Sequence, residues 1–85
     1  MKSFEYTVKD ELGIHARPAG LLAKKAKEYK SEITVTKGEK SASATKLIAL
    51  MGLSIKYNDT VTVSIVGEDE EKAEKEIREF LISNF

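Results

Sequence analysis

Seven residues near the start of the chain, Gly13-Ile14-His15-Ala16-Arg17-Pro18-Ala19, hold its one histidine and its one proline. An imidazole is a nucleophile and proton carrier whose reference pKa of about 6.5 leaves a neutral fraction at ordinary pH. A guanidinium two residues on offers charge and a fork of donors matched to phosphate. The stretch sits where a strand pattern gives way to a helix pattern. No residue from Leu12 to Gly20 is Ser, Thr, Asp or Asn, the side chains that usually satisfy the first free N–H groups of a helix. Such an end attracts anions, because its N–H groups point outward and the macrodipole places roughly +0.5 charge there. The small residues Gly13, Ala16, Ala19 and Gly20 leave backbone open to close approach. His15 and Arg17 at this end point to chemistry on a phosphate. The alternative is a histidine acting as a plain polar cap, with proline as first-turn punctuation. The missing cap, the arginine and the small residues weigh against it.

Composition narrows the partners. Eighty-five residues predict one domain spanning 1–85, burying roughly 60% of the surface of its unfolded chain. Fourteen basic and fourteen acidic residues give a formal net charge of zero, against the basic excess of a general nucleic-acid binder. The signs are segregated, however: Lys24, Lys25, Lys27 and Lys30 crowd one predicted helix, and Glu68 to Glu79 supply seven acids to another. Opposed basic and acidic sides favour an oriented encounter with a charged partner. The longest apolar run, Leu47 to Met51, is too short to span a bilayer, and the start has no signal-peptide pattern. With no cysteine and one histidine, no Cys- or His-rich metal site is expected. The expectation is a cytoplasmic protein without metal or cofactor.

The elements that must position His15 follow from periodicity. Ser3 to Val8 alternates, with Phe4, Tyr6 and Val8 on one face, a half-buried strand. A helix is predicted over about 16–29, with Ala19, Leu22, Ala23, Ala26 and Tyr29 as its core stripe. Arg17, Gly20, Leu21 and Lys24 line a second face, so Leu21 points outward. Glu32 to Thr36 and a short polar stretch, Lys40 to Ser43, read as a hairpin around Lys37-Gly38-Glu39-Lys40, the second strand at a sheet edge. Thr45 is the expected cap of a short helix from Lys46 to Met51, closed by Gly52. That helix is apolar all round and cannot bury every side. Leu50 and Leu53 are expected in the core; Leu47, Ile48 and Met51 are expected at the surface, as a docking patch. Thr60 to Val66 is a β-branched interior strand. A final helix runs from about Asp69 to Asn84 on Ala73, Ile77, Phe80 and Leu81, its acidic run read as a solvated face. The order β-α-β-β-α-β-α predicts an α+β fold, a two-layer open-faced sandwich. Its four-stranded antiparallel sheet, in order 1-4-2-3, carries the helices on one face.

The motif around His15, the element order, the apolar short helix and the Gly67-Glu68-Asp69 start of the last helix together resemble HPr, the histidine-containing phosphocarriers of the bacterial phosphoenolpyruvate-dependent sugar phosphotransferase system. The resemblance covers the whole chain. It implies that His15 takes a phosphoryl group on Nδ1 from phospho-enzyme I and passes it to the A domains of enzymes II. The chain would be a carrier forming a phosphohistidine, not a turnover enzyme. Arg17 and the backbone N–H groups of Ala16 and Arg17 would hold the phosphoryl oxygens, each contact worth about 1–3 kcal/mol. Gly20, Leu21, Lys24, Leu47, Ile48 and Met51 would form the shared docking surface, most simply on a monomer. One position departs from many family members, which carry a kinase-regulated serine at 46; here it is Lys46, expected instead to add to the positive docking field.

Three rival readings remain at this level. A paralogue in a nitrogen-related or regulatory phosphotransfer branch would use the same chemistry. An RNA- or protein-binding sheet module would need exposed aromatics for base stacking, whereas Phe4 and Tyr6 share the core face. An enzyme using His15 as general base would need a nucleophile, metal set or second carboxylate and a deep pocket, and none is evident.

Overall fold

The computed structural model describes residues 1–11 and 16–85. Alternating patterns form the expected strands: β1 (Lys2–Thr7), β2 (Glu32–Lys37), β3 (Lys40–Ser43) and β4 (Thr60–Val66). The helices are α1 (Ala16–Ala26), α2 (Leu47–Gly52) and α3 (Glu70–Asn84). The sheet runs β1-β4-β2-β3 with all pairs antiparallel, as predicted. Register follows the side-chain alternation: Phe4 pairs with Val63 and Val63 with Val35, so the apolar residues of three strands share one face. The helices cover that face. Leu22, Ile33, Leu50, Ile65, Ile77, Val8, Val61 and Val63 are its largest fully buried side chains, each worth about 1.5–3 kcal/mol of burial. The other face carries rows such as Ser3–Ser64–Thr34–Ser43 and Glu5–Thr62–Thr36–Ser41, polar as the open layer of the sandwich requires.

Several expectations need correction. α1 stops at Ala26, three residues early. Beyond it Glu28 N–H turns back to Lys25 O at 3.0 Å, a tightened last turn. The carboxylate of Asp69 then takes the N–H groups of Lys30 and Ser31, both at 2.9 Å, and these bonds turn the chain into β2. Tyr29 still packs partly against the core. α2 is not capped by Thr45: its cap position is Lys46, which makes no side-chain cap bond, while the Thr45 hydroxyl pairs with that of Ser43 at 2.9 Å. Nor does Gly52 close it. Gly52 is the last helical residue, and the left-handed turn falls on Ser54 at φ 52°.

The acidic run of α3 is also more than a solvated face. Glu76 accepts from the Tyr29 hydroxyl at 2.5 Å and lies 3.7 Å from Lys25. Asp69 further accepts from the Ser31 hydroxyl. Burial and the bond to Glu76 push the Tyr29 hydroxyl up to about 12. The Ser31 hydroxyl and the Lys30 amide hold the Asp69 carboxyl below its usual range, and the Tyr29 hydroxyl does the same for Glu76.

Candidate functional site

α1 begins at Ala16, so the residues directly after His15 are the first residues of this helix. Leu12, Gly13, Ile14 and His15, with the expectation of an uncapped helix start, lie outside the described residues. Ala16 and Arg17 are exposed in the first turn, and Pro18 and Ala19 are buried beneath them. Proline fits there because first-turn N–H groups have no helical partner and its φ is already helical.

The outer face of α1 presents Arg17, Leu21 and Lys24, all exposed, with Gly20 half-buried among them. Leu21 keeps 47% of its surface in water, as its place opposite the Leu22–Ala26 stripe requires. Among the described residues a Cβ on Gly20 would meet nothing within 4 Å, so the absent side chain leaves space beside them.

α2 packs beside α1. Leu50 is completely buried and Leu53 nearly so, and they anchor this short apolar helix as expected. The remaining apolar side chains stay outside: Ile48 is 82% exposed, Met51 37% and Leu47 36%. Lys46, also exposed, stands at the N-terminal end of α2. The fold thus brings Gly20, Leu21 and Lys24 on one helix beside Leu47, Ile48 and Met51 on its neighbour, although 23 or more positions separate them in the sequence. Exposed apolar side chains and exposed lysines thus occur together on these two neighbouring elements.

Two arrangements near the site escaped the sequence reading. The main-chain oxygen of Phe85 accepts from the N–H of Lys9 and, at 2.7 Å, from that of Asp10, so the end of α3 holds the segment that leads toward His15. The Lys37 ammonium reaches the Ser54 carbonyl, two residues past the end of α2, at 2.7 Å and the Asp59 carboxylate at 2.9 Å. Neither leaves a periodic signal. Each joins residues brought together only by the topology of the sheet.

Comparison with known proteins agrees with this geometry. Residues 2–83 match the family model described as "PTS HPr component phosphorylation site". The chain is 41% identical over 85 residues to phosphocarrier protein HPr of Mycoplasma genitalium, covering 99% of this chain and 97% of that one. It is 44% identical over 73 residues to the HPr of Lysinibacillus sphaericus, covering 86% and 83%. The crystal structure of HPr-C-His from Thermoanaerobacter tengcongensis superposes with a TM-score of 0.94 at 34% identity, over 100% of this chain and 96% of that one. The chain therefore belongs to the HPr family, the phosphocarrier proteins of the phosphotransferase system.

Proposed function

We propose that His15 receives a phosphoryl group from phosphorylated enzyme I and delivers it to enzyme II A domains of sugar uptake, in the cytoplasm and as a monomer. The observation that supports the docking half of this reading is that α1 and α2 are neighbours and both leave apolar side chains in water, Leu21 on one and Ile48, 82% exposed, on the other. Family membership and the His15-Ala16-Arg17-Pro18 sequence support the chemical half.

In the transfer, the lone pair on Nδ1 of a neutral imidazole attacks phosphorus. The bond from phosphorus to the donor breaks as the new P–N bond forms. The proton on Nε2 stays in place, so no base is required. Arg17 supplies positive charge and donors for the phosphoryl oxygens, with the N–H groups of Ala16 and Arg17. Modest stabilisation suits a carrier, because a phosphoryl group held too firmly would not move on. Lys24 and Lys46 add positive field around the apolar patch, which favours encounter with acidic partner surfaces.

Intact mass after incubation with phosphoenolpyruvate and a bacterial enzyme I tests the proposal. The wild type is expected to gain one acid-labile phosphoryl group and His15→Ala none. Failure of the wild type with two enzyme I sources would overturn it.

A further inference from the structure

We infer that Lys37 is a positioning residue for the docking helix: its ammonium clamps the exit of α2 and so sets how Leu47, Ile48 and Met51 are presented. The inference rests on the docking reading above.

α2 has only six residues and no side-chain cap at its N-terminal end, too little to be stable alone. The burial of Leu50 holds one side of it. Its exit is less secure. The Leu53 N–H donates back to Leu50 O at 3.1 Å, and the Ser54 N–H reaches Met51 O at 3.2 Å. Ser54 then takes the left-handed conformation, φ 52°, at a position where helices usually place glycine. A residue with a side chain stays there only when its surroundings over-determine it.

Lys37, at the end of β2, provides that restraint. Its Nζ donates to the Ser54 carbonyl at 2.7 Å and pairs with Asp59 Oδ2 at 2.9 Å. Asp59 Oδ2 also accepts from Lys56 N–H at 2.8 Å, and Asp59 O accepts from Val8 N–H at 2.9 Å. One ammonium therefore ties the helix exit to the sheet at both ends of the connection between α2 and β4. The charge suits the place, since the carbonyl end of a helix and a carboxylate both favour a cation. Beside the clamp lies a surface depression of about 470 Å³, lined by Lys37, Gly38, Glu39, Lys40, Leu53 and Ser54. It gives the exit room to shift when the ammonium is removed.

The test compares Lys37→Met, Lys37→Arg and Ile48→Asp in phosphoryl transfer from this protein to an A domain, with amide NMR spectra of each variant. Lys37→Met is expected to move the amide signals of Leu47 to Leu53. It should raise the KM for this protein about fivefold, within the span of effects transmitted through packed contacts, and leave kcat unchanged. Lys37→Arg should restore both, because a guanidinium keeps the charge and the donors. Asp59→Asn, which removes the ion pair but retains an acceptor for Lys56, should give a smaller rise in the same direction and serves if Lys37→Met does not fold. An unchanged KM in Lys37→Met or Asp59→Asn, with a raised KM in Ile48→Asp, would reduce Lys37 to a stabilising residue. An unchanged KM in Ile48→Asp would remove the docking reading and this inference with it.

Discussion

Gly67 shows how closely single residues are constrained at the seam between β4 and α3. Its φ is 154°, and a Cβ built on it would stand 2.5 Å from the Ser31 Cα and 2.7 Å from its hydroxyl oxygen. That hydroxyl donates to Asp69, so a methyl group here would push against backbone and against the bond that starts β2. Gly67→Ala is expected to lower stability by about 2–3 kcal/mol through backbone strain and overpacking. Urea unfolding checks this, and transfer activity per folded molecule should stay at the wild-type level because the seam lies away from α2. Gly20 is the opposite case. Among the described residues a Cβ there meets nothing within 4 Å, so no packing contact among them requires glycine.

At the scale of elements, α2 is the shortest of the three helices and leaves Leu47, Ile48 and Met51 exposed. Lys46 already has the extended backbone of an N-cap, φ −111° and ψ 100°, but its side chain satisfies no helix N–H. Lys46→Asn should raise stability by about 1 kcal/mol by supplying that acceptor, measured as a shift of the urea midpoint at constant slope. Lys46→Glu separates stability from docking. It removes one positive charge and adds a negative one beside the patch, so phosphoryl transfer should slow and its salt dependence should flatten. An unchanged rate and salt dependence would remove Lys46 from the docking field.

For the whole molecule, three of the side-chain links between distant segments end on carboxylates. The Lys37 ammonium lowers the Asp59 carboxyl, the Ser31 hydroxyl lowers Asp69, and the Tyr29 hydroxyl lowers Glu76. A carboxyl with a depressed folded pKa adds stability above its unfolded value of about 4 and loses it as pH falls through the folded value. Stability should therefore be level near neutrality and decline below about pH 4, with Asp69→Asn showing a shallower decline. Tyr29 works in the other direction. Its folded value of about 12 lies above the ordinary 10, so its contribution is complete below pH 10 and is lost as pH rises toward 12. Urea unfolding across both ranges, with Tyr29→Phe alongside, checks the two limbs.

The sequence alone determined the alternation of the four strands, the core stripes of α1 and α3, the strand order 1-4-2-3 and the exposed trio on α2. The strands, the stripes and the trio depend on periodicity, β-branching and the impossibility of burying a short helix all round, which are local facts; the strand order follows from the order of elements, because the helical crossover from β1 to β2 leaves room for the long β4 between them. The His15 motif was equally legible, because a rare residue type beside an arginine, a proline and small residues carries its meaning in a few positions. Tertiary structure decided where α1 stops, how α2 is left and what the acidic residues do. Asp69 ends one segment by bonding a chain 38 positions away, Glu76 meets Tyr29 across 47 positions, and Lys37 meets Ser54 across 17. Such bonds depend on which elements become neighbours. Register and packing establish that, and no window along the chain contains it.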